Sequence, residues 1–246
     1  MKPGSPVYLL DEDPTLLRAI SEPEQPAARE ALVANAYHVP RGPWRPLATF
    51  GGRDVHFGLL VLEGLLIRDV VVAHTTCGEL VGPGELLRPG DNFGERAPMP
   101  FEVEWKVIEP TLVATLGSDF TRVVARWPDV VNVFLQRAVE RSHSLALHVA
   151  IHCIRRVDLS LLVLFWHLAD RFGKVTPEGI VVSVKLTHQD LGKLVGATRQ
   201  SVTAALGEVA DRGWVMRRHA GAWLLPADPP REIQAMLGRR RGRDET

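Results

Sequence analysis

The stretch KLTHQDLGKLVGATRQSVTAALGEVADR, residues 185–212, decides the fold. Thr187 is the type of residue that caps a helix, and Asp190 stands three residues later in place of the usual capping-box glutamate. Leu191, Leu194 and Val195 form one apolar face. Gly196 supplies a sharp turn between two helices. Thr198 caps the second helix, whose buried face is expected to be Val202, Leu206 and Val209. Its leading edge carries Arg199, Gln200, Ser201 and Thr203. Together with Thr198, these are residue types that hydrogen-bond base edges and phosphates in a major groove. The positive dipole end of the helix adds to the pull on phosphate. The segment therefore predicts a double-stranded DNA partner. The bland alternative is a two-helix hairpin with a solvated polar face.

Working outward, the downstream segment WVMRRHAGAWLLP predicts two strands, 215–219 and 222–225, around Gly221. They would form a wing, with Arg217 and Arg218 beside backbone phosphates. Upstream, residues 175–186 read as a hairpin. LSLLVLFWHLADRF reads as a helix capped by Asp158 and ended by Gly173. Between Asp129 and about Val157 there is neither proline nor glycine. Val130, Phe134, Ala138, Arg141 or Ser142, Leu145 and Val149 recur there at three- and four-residue spacing, as in a long amphipathic helix. A second copy of the chain is the economical cover for such a stripe, so a homodimer is expected. Packing within its own chain is the alternative.

The N-terminal half differs in character. Residues 26–37, PAAREALVANAY, are rich in helix formers and predict a short helix, with Pro40, Pro43 and Pro46 as breakers after it. Residues 54–117 are rich in Val, Leu and Ile. FEVEWKV alternates, with Phe101, Val103, Trp105 and Val107 on one face and Glu102, Glu104 and Lys106 on the other, as in a half-buried antiparallel strand. GPGELLRPGDNFGERAPMP is a Gly/Pro-dense loop region. The expected fold class is α+β: an N-terminal β-roll or jelly roll over 1–120, a long dimerisation helix over 121–157, a winged helix-turn-helix over 158–230, and a basic tail over 231–246.

Composition agrees with a globular chain: 46% of its 246 residues are hydrophobic and 24% charged. No run approaches the ~20 apolar residues of a membrane span. The N-terminus turns acidic and proline-rich too soon for a secretory signal, so a cytoplasmic protein without a membrane partner is expected. Residues 1–157 hold 16 Lys/Arg and 19 Asp/Glu, a balance of −3. Residues 158–246 hold the remaining 13 and 10, a balance of +3, the sign a nucleic-acid partner favours. Two cysteines, Cys77 and Cys153, exclude a disulfide framework and a four-cysteine iron–sulfur cluster within one chain.

LTHQDLGKLVGATRQSVTAAL resembles the helix-turn-helix of the Crp/Fnr superfamily of transcription regulators nearly position for position. The order of elements also resembles that family's: a cyclic-nucleotide-binding-like β-roll, a dimerisation helix and a winged helix. The resemblance implies that Thr187, His188 and Gln189 anchor the first helix to phosphates and that Arg199 and Gln200 read bases. It adds RNA polymerase as a candidate partner. A position often basic in the family is Ala204 here, which implies a different preferred DNA site.

The cAMP-binding members hold the cyclic phosphate with a Gly-Glu-Leu loop followed by an Arg-Ser or Arg-Thr pair. Gly84-Glu85-Leu86 resembles the first part. The second falls near Phe101-Glu102, where no such pair exists and a carboxylate would repel phosphate. Gly84, Glu85, Leu86 and Arg88 are therefore the candidate effector residues, with Arg96 nearby, but cAMP is not the expected effector. Another ligand, a redox or metal signal, or no ligand stays open, and no cofactor is identified.

His74 and Cys77 lie near a strand end, but their spacing does not match the family's haem-binding members. His148 and His152 share one helix face, with His143 and Cys153 close. Such a pair can bind Zn²⁺ or Cu, and its protonation can make a dimer seam pH-sensitive. Polar histidines beside a helical seam are the preferred reading. Arg239–Arg241 and Arg243 add either nonspecific phosphate contacts or a solvated end. Two other functions compete. A cupin-like metalloenzyme needs clustered histidines, whereas His56 and His74 are isolated and no His-x-His occurs. A ligand-controlled protein-interaction module would turn the winged helix toward protein.

Overall fold

The computed structural model describes residues 4–50, 53–73, 75–88 and 101–235. The chain divides into two compact units, Met1–Ala146 and Leu147–Thr246.

The first unit is built on an antiparallel sheet. Strands β1 (Ser5–Tyr8), β2 (Val33–Val39), β3 (Gly42–Trp44), β4 (Gly58–Val72), β5 (Thr75–Val81), β6 (Leu86–Leu87) and β7 (Glu102–Leu116) run in the order β1-β2-β7-β4-β5, with β3 on β7 and β6 on β4. The 15-residue strands β4 and β7 pair along most of their length, from Gly58 opposite Leu116 to Val71 opposite Glu102. Their register shifts between Val61 and Leu66. Gly64 sits in that irregularity at φ 88°, and a Cβ there would lie 2.4 Å from the Pro110 carbonyl oxygen. Only glycine allows the two backbones to approach so closely where the ribbon bends.

Both faces of β4 are buried, because side chains alternate across a strand. Leu59 and Val61 join an inner cluster with Tyr37, Val39, Trp44, Phe50, Val107 and Val113. Leu60 and Leu62 join an outer cluster with residues of short helices α1 (Leu9–Glu12), α2 (Pro14–Arg18) and α3 (Gln25–Ala31). Helix α4 (Pro46–Phe50) brings Phe50 to the inner cluster, and α5 (Ser118–Val124) brings Phe120 to the outer one. The alternation expected over 101–107 holds through Glu104, with Glu102 and Glu104 exposed between half-buried Phe101, Val103 and Trp105, but Lys106 is half-buried too before the buried Val107.

The expected helix over 26–37 is corrected. It ends at Ala31, and VANAYHV is strand β2. Ala34 and Ala36 enter the outer cluster while Tyr37 and Val39 enter the inner one. The buried face switches between Ala36 and Tyr37, with Val33, Asn35 and His38 exposed, so the period of two is broken, and tertiary pairing overrides alanine's helix preference.

The long helix α6 is Pro128–His152, ending about five residues earlier than expected. The last turn tightens as the Ile154 N–H donates to the Ile151 carbonyl at 3.1 Å. The boundary between units falls within α6. Val130 and Phe134, expected on the seam, pack instead into their own unit's outer cluster, with Phe134 and Phe57 edge-to-face at 5.3 Å. The helix carries a second apolar stripe that the single-face reading merged with the first. Val131, Leu135 and Val139 are exposed, Leu135 at 62%.

In the second unit, α7 (Val157–Phe172) buries Leu161, Leu162, Leu164, Phe165 and Leu168. Its cap is not Asp158, as expected, but Arg156, which makes no side-chain cap bond. The Asp158 carboxylate instead accepts from Arg156 Nη2 at 2.5 Å and Arg212 Nη1 at 3.1 Å. Strands β8 (Gly173–Thr176), β9 (Gly179–Val182), β10 (Met216–Arg217) and β11 (Trp223–Leu225) form a second sheet in the order β10-β11-β9-β8. The upstream hairpin and the wing strands thus belong to one sheet, and Phe165 packs on Trp223 at 4.7 Å.

Candidate nucleic-acid interface

Two helices, α8 (His188–Val195) and α9 (Arg199–Asp211), present the predicted recognition residues. A reciprocal capping box opens α8. Thr187 Oγ1 accepts from the Asp190 N–H at 3.1 Å, and Asp190 Oδ2 accepts from the Thr187 N–H at 3.0 Å. The Thr187 hydroxyl hydrogen also goes to Asp190, at 2.7 Å. Aspartate therefore does the work of the usual glutamate, from a buried position. Leu191, Leu194 and Val195 are buried as expected.

Gly196 ends α8 at φ 67°, the left-handed conformation that favours glycine. A Cβ on it would lie 2.9 Å from His152 Nδ1. Gly192 is a second requirement, which the sequence reading missed. A Cβ there would lie 2.5 Å from the Ala197 carbonyl oxygen, because the turn folds back over the helix. Nothing in the apolar spacing of 187–196 signals that approach.

Thr198 caps α9, accepting from the Ser201 N–H at 3.2 Å. Val202, Ala205 and Val209 are its buried residues. Leu206 is half-buried, and Ala205 takes the place expected for it. Gln189, Thr198, Arg199, Gln200, Ser201 and Thr203 are exposed, and His188 is half-buried. The Thr203 hydroxyl donates to the Arg199 carbonyl at 2.9 Å and lies 2.8 Å from His188 Nδ1. Burial, then the charges of Arg217 and Arg199, push the His188 imidazole below its ordinary value. Arg199 of α9 and Arg217 of β10 thus both act on the His188 ring of α8.

Of the two wing arginines, Arg217 lies over the Trp223 ring at 5.4 Å. Arg218 pairs with Glu178, at the β8–β9 turn. A partner that takes Arg218 must compete with that carboxylate.

The candidate effector loop lies in the first unit. Gly84 adopts φ 84°, and its N–H donates to the Val61 carbonyl at 2.8 Å. The Glu85 carboxylate accepts from the Gly82 N–H at 2.6 Å. Leu86 begins β6, and its carbonyl accepts from Arg141 Nη1 at 3.2 Å. Arg88 lies just beyond β6, exposed. Two arginines of α6 face this region, each held by a carboxylate. Arg137 makes a forked pair with Asp13, at 2.6 and 2.9 Å. Arg141 makes another with Glu79, at 2.8 and 3.0 Å, and Arg68 joins Glu79 at 3.3 Å. Burial lowers the Arg141 value, but the Glu79 bond and the Glu79 and Glu85 charges outweigh it and keep the guanidinium charged.

Arg96, His74 and the arginines at 239–243 lie outside the described residues. Cys77 is exposed, its thiol pushed up by burial of part of the side chain and then by Glu79 and Asp69. His148 is buried edge-on against His167, ring centroids 5.2 Å apart, while His152 meets Gly196 and His143 is exposed. Among the described residues no group of three His, Cys, Asp or Glu is placed to hold a metal, and no helix is long and apolar enough to cross a membrane.

Residues 160–227 match the Crp-like helix-turn-helix domain family. The chain is 29% identical over 154 residues to a CRP-like cAMP-activated global transcriptional regulator of Mycobacterium tuberculosis. That match covers 59% of this chain and 66% of the relative, just under two thirds of its length. Among solved structures, a CooA mutant from Carboxydothermus hydrogenoformans aligns with TM-score 0.63 at 14% identity, covering 94% of each chain. A CRP/FNR-family transcriptional regulator from Thermus thermophilus aligns with TM-score 0.54 at 19% identity, covering 77% of this chain and 92% of that one. Residues 160–227 thus match a Crp-like helix-turn-helix domain, and the chain shares its fold with a CRP/FNR-family transcriptional regulator.

Proposed function

We propose that the protein is a homodimer that binds a two-fold symmetric DNA site, each recognition helix α9 entering one of two successive major grooves about 34 Å apart. The observation that carries this reading is the leading edge of α9. Arg199, Gln200 and Ser201 stand exposed behind a capped, rigid N-terminus, with Arg217 and His188 alongside. Arginine and glutamine read base edges, and the helix N-terminus and wing favour phosphate. The self-pairing surface is the stripe Val131, Leu135 and Val139, continued by Leu145 and Val149 along α6. Apolar side chains so spaced along a helix call for a matching partner helix. The reading makes it a cytoplasmic protein, since that is where its DNA would be met.

The M. tuberculosis relative is named as cAMP-activated. For this chain we infer control by something other than cAMP. Glu85 is turned onto its own loop, and the guanidinium groups of Arg137 and Arg141 already hold Asp13 and Glu79. A cyclic phosphate taken by Arg137 or Arg141 would have to displace its carboxylate.

Selection of bound sequences from random duplex DNA tests the reading. The expected result is one enriched, two-fold symmetric sequence that disappears with Arg199→Ala. An enrichment unchanged by Arg199→Ala would overturn it.

A further inference from the structure

We propose that His188 is a proton-gated phosphate contact and that Thr203 positions its imidazole rather than reading bases. This rests on the DNA-binding reading above. The argument is a count of hydrogens. A threonine hydroxyl has one. Thr203 Oγ1 lies 2.9 Å from the Arg199 carbonyl oxygen one helical turn back, and that carbonyl has no hydrogen to give, so the hydroxyl donates to it. The same oxygen lies 2.8 Å from His188 Nδ1. With its hydrogen committed to Arg199, Oγ1 accepts here, and Nδ1 carries the proton. Neutral His188 is therefore the Nδ1–H tautomer, and its Nε2 is a bare acceptor.

A bare acceptor repels a phosphate oxygen. Protonation turns the same nitrogen into a charged donor without moving the ring, because the Nδ1–H bond to Thr203 survives. The charged groups acting on the ring are Arg217 of β10 and Arg199 of α9, both cationic. They and partial burial disfavour its protonation in the free protein. A phosphate placed among these three groups offsets both guanidinium charges and favours the imidazolium. DNA binding then takes up a proton at His188. Thr203, with its hydrogen and one lone pair already engaged, is withdrawn from base recognition.

The test is the affinity for the selected duplex, by fluorescence anisotropy at constant ionic strength, from about pH 5 to about pH 8. The wild type, His188→Gln, Thr203→Val and His56→Gln, an exposed histidine of the first unit, are compared. Wild-type affinity is expected to rise as pH falls, by up to about tenfold per pH unit for each recognition helix between the free and bound His188 values. His188→Gln flattens the profile and His56→Gln leaves it. Thr203→Val makes it shallower, because the freed ring can adopt the tautomer that donates while neutral, and leaves the selected sequence unchanged. A wild-type slope that persists in His188→Gln, or a changed sequence preference in Thr203→Val, overturns the inference. A bound duplex with a flat wild-type profile overturns the proton coupling alone. No binding of any duplex at any pH overturns the DNA reading and this inference with it.

Discussion

Arg212, at the C-terminal end of the recognition helix, reaches Asp158 at the start of α7, with Nη1 3.1 Å from Oδ2. The same carboxylate holds Arg156 in the turn that follows the long helix. One buried aspartate thus ties that turn to the far end of α9. Burial alone would push its carboxyl up, but the bonds and charges of Arg156, the Leu159 N–H and the Arg212 charge hold it below the ordinary 3.8.

Asp158→Asn is therefore expected to cost about 1–3 kcal/mol in urea unfolding, since both arginines stay near water and lose only their partner. The sign of the pH dependence follows from the lowered value. The contribution of Asp158 is complete above the unfolded value near 3.8 and is lost as pH falls through the lower folded one. The difference between Asp158→Asn and wild type should shrink only in that acidic window. A constant difference down to the acid transition would show that the charge is not what stabilises the turn.

Gly192→Ala and Gly207→Ala should move stability in opposite directions. The first places a methyl group against the Ala197 carbonyl and should destabilise by about 1–3 kcal/mol. The second meets nothing within 4 Å on α9 and should stabilise by up to about 1 kcal/mol, from helix propensity alone. Thermal unfolding of the two variants side by side reads the contrast.

Leu135→Glu and Val139→Glu, separately, should convert a dimer to a monomer in sedimentation equilibrium while leaving far-ultraviolet circular dichroism intact. Both side chains are exposed in the single chain, so a charge there harms only self-association. Val130→Glu, at the buried face of the same helix, should unfold the first unit instead.

Glu79→Gln should destabilise the first unit by about 3 kcal/mol, because Arg141 is left charged in a largely enclosed site. Millimolar cAMP should leave the melting temperature of the wild type unchanged. A ligand that binds only the folded state at a hundredfold its dissociation constant adds about 2.7 kcal/mol, which such a measurement would detect.

The helix-turn-helix was legible because its signals are local. Thr187 with Asp190, the turn glycine Gly196 and the cap Thr198 each act within four residues, and the structure uses each as its type suggests. Strand β2 was not legible, because Ala34 and Ala36 bury one face and Tyr37 and Val39 the other, so neither helical nor alternating period survives. On α6 the spacing identified a helix but ran two apolar stripes together. Val130 and Val131 are neighbours in sequence, yet one faces its own unit and the other faces out. The carboxylates that hold Arg137 and Arg141 come from Asp13 and Glu79, more than sixty positions away in the chain, a pairing only the fold reveals.

The Thr187–Asp190 box has a consequence for the thermodynamics of association. Its reciprocal bonds complete the first turn of α8 within the protein's own atoms, so no ordering of that turn is left for a nucleic acid to induce. Binding should then carry little of the extra negative heat-capacity change that accompanies coupled folding, and the contact surface should meet its target as a rigid body.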